Sequence, residues 1–301
     1  MAFARTSAIT LLLFVPALAL GARWGKPEAM GLVTDRAIDE ISGLAASRRH
    51  PGMFWAHNDS GGGDALHLLD GRGQRQATVA TPGAENIDWE DMASFQLDGE
   101  DYLLVADTGD NGGIRQSLRL HVFEEPRDLA RPATLAWTVH FRWPDGPRDC
   151  EAVAVDAVRG EVLLISKKRV PAELFRVRLA AGPDEQVAER IGTLPGIEQP
   201  DASDFRRSPT YGRYRAQITG ADLSPNGRVL AVLNYRSVHF VVRGADGDWA
   251  PGLSDKLPHL ALPWLPQAEA IAFSLDGRGL IVASEQLPSP IIRFQVEPEA
   301  K

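Results

Sequence analysis

Short apolar stretches separated by turn signals run along the chain from residue 41 onward. Turn glycines such as Gly227 in Ser224-Pro225-Asn226-Gly227 and Gly277 in Ser274-Leu275-Asp276-Gly277 are each followed by an apolar run. Apolar runs on both sides of a glycine turn are typical of a β-hairpin. The sequence has no sustained helical periodicity, so the pattern predicts an all-β protein.

A five-residue motif opens this pattern five times, which makes the chain a repeat protein. Its copies begin at Ile41, Trp89, Cys150, Thr219 and Ala268. The second positions, 48, 61, 69 and 49 residues apart, hold Ser42, Glu90, Glu151, Gly220 and Glu269. Each copy precedes a turn and further apolar runs, and four short antiparallel strands per repeat form the blade of a β-propeller. We therefore expect a five-bladed β-propeller. A six-bladed propeller, a sandwich and a solenoid are the alternatives.

The two ends of the chain and one internal stretch depart from the repeat. Residues 1–22 carry Arg5 followed by the apolar run from Ala8 to Leu20, which predicts a signal peptide and export to the periplasm or the medium. An uncleaved membrane anchor is the alternative. Residues 23–301 are predicted to form a single propeller domain. Its irregular insert at about 195–217 is too short for a sixth blade.

The last repeat lacks a fourth strand, since only five residues follow Val296. The segment from Gly31 to Ile38 alternates in polarity and precedes the first motif. We expect it to supply the missing outer strand and close the ring, because an unpaired edge would otherwise remain there.

Charge and cysteine content narrow the function classes. The chain has 32 Lys and Arg against 40 Asp and Glu, a formal net charge of −8. That balance disfavours a nucleic-acid partner, which requires clustered basic residues. The one cysteine, Cys150, excludes an internal disulfide and is expected to be a buried strand residue.

In a propeller, the start of each first strand and the end of each second strand share one face. Asp59, Asp107 and Lys168 each lie seventeen residues after a motif position. This face is therefore predicted to carry acidic residues near the axis and a mixed ring around them. The axial set is Glu90, Asp91, Glu151, Asp222 and Glu269. The surrounding set is Asp59, Asp107, Asp110, Lys167, Lys168, Arg236 and Glu285.

Converging carboxylates repel one another, which raises their pKa values unless a cation, basic side chains or water compensates. A hard, oxygen-ligated ion such as Ca²⁺ meets this requirement. We therefore expect a Ca²⁺ site formed by Glu90, Glu151, Glu269 and Asp222. In the alternative interpretation, each of the three glutamates bonds backbone N–H groups of the neighbouring blade and only holds the ring together.

The ordered motifs resemble those of a known family. Asp88-Trp89-Glu90, Glu151-Ala152-Val153-Ala154 and Gln267-Ala268-Glu269-Ala270-Ile271 are similar to blade motifs of the SdiA-regulated family of exported bacterial propellers, which in turn resembles phytase-like propellers. This resemblance implies an extracytoplasmic, calcium-binding β-propeller without a firmly assigned reaction. The chain departs from the family in its loops at 58–61 and 107–111.

Two function classes follow, and the sequence does not decide whether the protein is an enzyme. The favoured hypothesis is a binding module that holds a small-molecule or envelope ligand, which could be phosphorylated, on its acidic face. The alternative is a metal-assisted phosphoesterase or phytase-like hydrolase. Its catalytic candidates are Asp59, Asp107, Asp110 and Lys168.

Overall fold

A computed structural model describes residues 23–182 and 184–297. The predicted signal peptide, residues 1–22, lies outside the described residues. In the part of the chain that the structure describes, no helix is both long and apolar enough to cross a bilayer.

The regular secondary structure of the described residues is almost entirely β-strand, with one short helix and two 3₁₀ turns. The helix α1 is Ala202–Arg207, and the turns are Gly212–Tyr214 and Ala250–Gly252. The strands are β1 Glu28–Val33, β2 Ile41–Ala46, β3 Phe54–Asn58, β4 Ala65–Leu69, β5 Arg75–Ala80, β6 Trp89–Leu97, β7 Glu100–Asp107, β8 Leu118–Glu124, β9 Leu135–Arg142, β10 Cys150–Asp156, β11 Glu161–Ser166, β12 Ala172–Arg178, β13 Gln186–Val187, β14 Glu189–Leu194, β15 Ile218–Leu223, β16 Val229–Asn234, β17 Ser237–Val242, β18 His259–Ala261, β19 Ala268–Phe273, β20 Gly279–Ser284 and β21 Ser289–Gln295.

These strands form five sheets arranged in a ring, which confirms the predicted five-bladed β-propeller. Blade 1 is β2–β5, blade 2 is β6–β9, and blade 4 is β15–β18. Blade 3 is β10, β11, β12 and β14, while β13 joins the outer edge of blade 2 in parallel with β9. Blade 5 is β19–β21 with β1 as its outer strand. The first strand of each blade packs on the next around the ring, and β19 packs back on β2.

Ring closure by an N-terminal strand is also confirmed, with shifted bounds. β1 pairs antiparallel with β21, from Glu28 opposite Arg293 to Val33 opposite Ser289. The predicted segment began at Gly31 and ended at Ile38. The strand instead ends at Val33 because Asp35 folds the following residues into a turn, with its carbonyl accepting the Ile38 N–H at 3.0 Å.

The core lies between the blades. Five clusters of buried apolar side chains fill the five inter-blade interfaces, one for each neighbouring pair. Large, fully buried aromatic residues lie in four of them: Trp55 and Trp89 between blades 1 and 2, Phe175 between blades 2 and 3, Trp249 between blades 3 and 4, and Phe294 between blades 4 and 5. Burial of this apolar area stabilises the ring. The packing between blades therefore also fixes the positions of the blade ends that form one face of the ring.

Candidate functional site

Every first strand carries a β-bulge at its second residue. The register shifts occur at Ser42, Glu90, Glu151, Thr219 and Glu269. The blade 4 member is therefore Thr219, and the sequence alignment that gave Gly220 was wrong by one residue. A bulge re-aims a side chain away from the pleat. We call the face on which these five residues lie the top face.

The two hydroxyl members of this set link blades. Ser42 Oγ of blade 1 donates to the Glu90 carbonyl of blade 2 at 2.6 Å. Thr219 Oγ1 of blade 4 donates to the Ala268 carbonyl of blade 5 at 2.7 Å. The side chains of Ser42 and Thr219 therefore help to hold the ring together. The side chains of the three glutamates are the candidates for binding.

The three axial glutamates are close enough to influence one another. Burial raises the pKa of Glu90 well above its usual range, and the neighbouring Glu151 carboxylate raises it further. Burial also raises the pKa of Glu151, with Glu269 adding to the effect. Carboxylate oxygens of Glu90 and Glu151 lie within 4.8 Å of each other, so the structure brings these two residues together.

A lysine provides the compensating charge at Glu151. Lys167 Nζ forms an ion pair with Glu151 Oε1, and both side chains are largely buried. Burial alone would lower the pKa of Lys167, but the carboxylates of Glu151, Glu269 and Glu90 outweigh it and hold that pKa above its ordinary value. Lys167 is therefore a fixed cation at the centre of the face.

Glu269 is held by a different partner. Tyr235 Oη donates to Glu269 Oε1 at 2.6 Å. Burial, together with the charge of Glu269, raises the pKa of the Tyr235 hydroxyl, so it stays protonated and donates. Gln267 bridges Glu269 and Glu285, the latter with a pKa raised to about 8 by burial and by Glu269.

Strand pairing, and not the constant offset of seventeen residues, identifies which residues around the axis are equivalent in the five blades. The first residue of each first strand pairs with Asn58, Asp107, Ser166, Asn234 or Ser284. The next residue in each blade is Asp59, Thr108, Lys167, Tyr235 or Glu285. Asp59, Asp107 and Lys168 are therefore not equivalent, because the hairpins differ in length and strand pairing, not residue count, sets the position.

Asp222 and Asp91 hold blades together through backbone N–H groups. Asp222 Oδ2 accepts the Phe273 N–H of blade 5 at 2.7 Å, and its Oδ1 accepts the Leu223 N–H. Asp91 Oδ2 accepts the N–H of Val153 at 2.8 Å. Burial raises the pKa of Asp222 to about 7 and that of Asp91 well above its usual range, although backbone donors oppose the shift. These two aspartates thus hold the ring together in the way that the alternative interpretation assigned to the glutamates.

A separate acidic group lies beside Glu90. Carboxylate oxygens of Asp59, Asp88 and Glu90 lie within 4.8 Å of one another, and a second such group joins Glu90 to Asp149 and Glu151. Burial and the charge of Asp59 raise the pKa of Asp88 to about 6. A Cβ at position 109 would collide with Glu90 Oε1 and with the Asp88 carboxylate. Only a glycine at this position leaves room for the two carboxylates.

The other catalytic candidates are engaged in loop contacts. Asp107 forms an ion pair with Arg115 at 2.9 Å. Asp110 accepts the backbone N–H groups of Ile114 and Arg115 at 2.8 and 3.0 Å. Lys168 forms an ion pair with Asp149 at 2.8 Å. Of the four candidates, Asp59 is the one that the structure places in an acidic group.

The surroundings of Cys150 and Arg236 indicate roles in the fold. Cys150 is fully buried at the start of β10, and burial raises the pKa of its thiol to about 12. Arg236 forms ion pairs with Asp204 at 3.2 Å and Glu198 at 3.7 Å, which anchors the insert to blade 4. Asp201 caps α1 by accepting the N–H groups of residues 203 and 204.

A pocket of about 680 Å³ lies over the part of the top face that carries Lys167 and Tyr235. Blades 2 to 5 and the insert between blades 3 and 4 all contribute side chains. Its lining consists of Asn111, Lys167, Lys168, Tyr211, Tyr214, Arg215, Gln217, Tyr235, Trp264, Pro266, Gln267 and Gln286. The charged side chains of this lining, Lys167, Lys168 and Arg215, are all basic. Sequence reasoning missed the insert residues and Trp264, since no repeat equivalent signals them.

Comparison with known proteins gives similarity of fold alone. No protein-family model matches the chain, and no curated protein sequence matches it. A crystal structure of RRP9 WD40 repeats is 12% identical, covering 85% of this chain and 67% of the other, with a TM-score of 0.40. A structure of U3-55K is 13% identical over 84% and 67%, with a TM-score of 0.39. The fold assignment therefore follows from the five sheets themselves.

Proposed function

We propose that this protein is a binding module that holds a small ligand in the pocket over the top face. The observation that carries the proposal is the way the pocket is built. Four blades and the insert supply one concave site of about 680 Å³. Small-molecule sites are concave, commonly ~300–1,000 Å³, and combine apolar surface with a few convergent polar groups.

The proposal includes a divalent cation, with Ca²⁺ as the simplest choice, at the neighbouring acidic group. Asp59, Asp88 and Glu90 offer the carboxylate oxygens that Ca²⁺ prefers. Burial raises the pKa of Asp88, and the charge of the nearby Asp59 carboxylate, which no described basic side chain compensates by an ion pair, raises it further. A bound cation would supply that compensation and fix the two loops that carry Asp59 and Asp88.

The expected ligands Glu151, Glu269 and Asp222 receive less support. Glu151 already faces Lys167, Glu269 accepts from Tyr235, and both oxygens of Asp222 accept backbone N–H groups. We therefore propose the cation at Asp59, Asp88 and Glu90 in preference to the axial set. Export to the periplasm or the medium, expected from residues 1–22, remains part of the proposal.

Calcium titration tests the cation. We expect Ca²⁺ to raise the melting temperature of the purified protein, because a ligand of the folded state stabilises it by about 2.7 kcal/mol at a hundredfold excess over Kd. The shift should disappear in Asp88→Asn and Glu90→Gln and persist in Glu85→Gln, an exposed acid of the same loop region. A wild type without any Ca²⁺-dependent shift excludes this part of the proposal.

A small-molecule library tests the pocket, with melting temperature as the measurement. Stabilising compounds should lose their effect in Trp264→Ala, whose side chain lines the pocket and is 74% exposed. The same compounds should act normally on Val158→Ala, another exposed apolar residue outside the pocket. A library without any hit, or hits insensitive to Trp264→Ala, contradicts the binding site.

The alternative hypothesis, a metal-assisted phosphoesterase, needs its own assay. Asp59 is its best-supported candidate, since it lies in the acidic group with Asp88 and Glu90, to which Asp107, Asp110 and Lys168 do not belong. The assay measures phosphate release from phosphomonoesters, phosphodiesters and phytate with Ca²⁺ present. Turnover that is lost in Asp59→Asn and retained in Arg178→Ala would contradict the binding-module hypothesis and support the enzyme hypothesis.

A further inference from the structure

Charge pairing within the pocket leaves one basic side chain uncompensated. Lys167 faces Glu151, and Lys168 faces Asp149. Within the residues that the structure describes, Arg215 has no carboxylate within 4.0 Å; its one hydrogen bond runs from Nη1 to the Tyr235 carbonyl at 2.9 Å. The remaining N–H groups of this guanidinium are free to bind a ligand, and the fork geometry matches a carboxylate with two parallel bonds.

Two aromatic side chains at this pocket are largely exposed. Trp264 is 74% exposed and Tyr211 is 68% exposed, and both line the cavity. The aromatic residues elsewhere in the ring mostly fill the inter-blade core. Large exposed aromatic surface beside a pocket is typical of a ligand contact, because stacking against a ring removes it from water.

The uncharged polar side chains of the pocket suit a ligand with several hydroxyl groups. Gln217 makes no side-chain hydrogen bond to any described residue, and Gln286 uses its amide nitrogen on Gln267 while its oxygen stays available. An amide both donates and accepts, as a hydroxyl does. These two amides can therefore form hydrogen bonds with the hydroxyl groups of a bound ligand.

We propose that the ligand is a sugar acid, a pyranose ring that carries one carboxylate and several hydroxyls, bound through Arg215 and stacked on Trp264. The single uncompensated cation favours a monoanion over a phosphate monoester, which carries about −1.5 to −2 at neutral pH. This inference rests on the proposed function, since it names the ligand class of the same pocket.

Calorimetric titration of the full-length protein tests the ligand class. The probes are D-glucuronate and D-galacturonate, with D-glucose, D-galactose, glucose 6-phosphate, benzoate and AMP as comparisons. We expect a uronate to bind at least about tenfold more tightly than its neutral parent sugar, because the carboxylate adds charge-assisted hydrogen bonds. Arg215→Gln should reduce uronate affinity about tenfold or more while leaving the neutral sugar unchanged.

Matched variants separate this role from folding. Arg206→Gln removes an exposed arginine of the same insert that is not in the pocket lining, and should bind uronates as the wild type does. Trp264→Ala should weaken uronates and neutral sugars alike. Equal uronate affinity in Arg215→Gln and wild type overturns the inference. Tighter binding of AMP, benzoate or glucose 6-phosphate overturns the sugar acid and leaves the binding module intact, whereas failure of all probes together with the library contradicts both.

Discussion

The Asp91 carboxylate of blade 2 accepts the backbone N–H of Ala221 in blade 4, 3.1 Å away and 130 residues later in the chain. The same oxygen accepts the Val153 N–H of blade 3, and the other accepts the Met92 N–H. One fully buried side chain thus connects three consecutive blades at the axis. A buried carboxylate is tolerated there because several donors face it.

Asp91→Ala should therefore lower the free energy of unfolding by about 2–5 kcal/mol, since it leaves two inter-blade N–H groups without an acceptor. Asp222→Ala removes one inter-blade acceptor, at Phe273, and should cost less. Urea denaturation of both variants measures the difference. An equal or reversed order would show that Asp91 does not connect the blades energetically.

Lys167 is expected to be important for stability as well as for the pocket. Lys167→Met leaves Glu151 buried without its partner, which should reduce the unfolding free energy by about 3–5 kcal/mol. Adding Glu151→Gln in the same chain should restore part of that loss. The control is Lys256→Met at an exposed lysine. If the double variant is no more stable than Lys167→Met, the ion pair is not the source of the effect.

The sequence predicted the blades because each depends on a local signal that recurs, namely a motif followed by a glycine turn. It failed where position depends on pairing between strands. Asp59 and Asp107 share a distance of seventeen residues from the motif, yet Asp107 pairs with Trp89 while Asp59 follows the paired Asn58. Arg215 lies in an insert without a repeat equivalent, so sequence periodicity carried no information about it.

Buried histidines predict how stability changes with pH. Burial lowers the pKa values of His67, His121 and His239 from 6.5 to about 4. Between pH 6.5 and 4 the unfolded chain binds protons that the folded chain does not. The neutral state of these histidines therefore favours the folded chain fully above pH 6.5, and the free energy of unfolding decreases as the pH falls below that value. One such histidine accounts for on the order of 3 kcal/mol.

His121→Asn isolates one of these groups. The asparagine keeps a polar atom near Thr138 Oγ1, which lies 3.1 Å from His121 Nδ1, but it does not titrate. Chemical denaturation at pH 7, 6, 5 and 4 should show a smaller decrease in stability for this variant than for the wild type. His50→Asn, at a half-buried histidine of blade 1, is the control. Parallel pH curves for His121→Asn and wild type would contradict the assignment.

The closing strand β1 depends on a close approach that only glycine permits. A Cβ at Gly31 would collide with the backbone carbonyl of Arg72, in the hairpin between β4 and β5 of blade 1. Gly31→Ala therefore has to displace β1 from β21 or from that hairpin, and we expect a loss of about 1–3 kcal/mol from overpacking. A displaced β1 also exposes the edge of β21, which favours aggregation.

Gly182→Ala provides the comparison, since a Cβ there meets no atom of the described residues within 4 Å. Its unfolding free energy should stay within about 0.5 kcal/mol of the wild type, as for other surface substitutions. Urea denaturation and light scattering during heating give the two measurements. If Gly31→Ala unfolds and aggregates no more readily than Gly182→Ala, then the β4–β5 hairpin accommodates the added methyl group without cost, and the close approach at Gly31 is not what holds β1 in the ring.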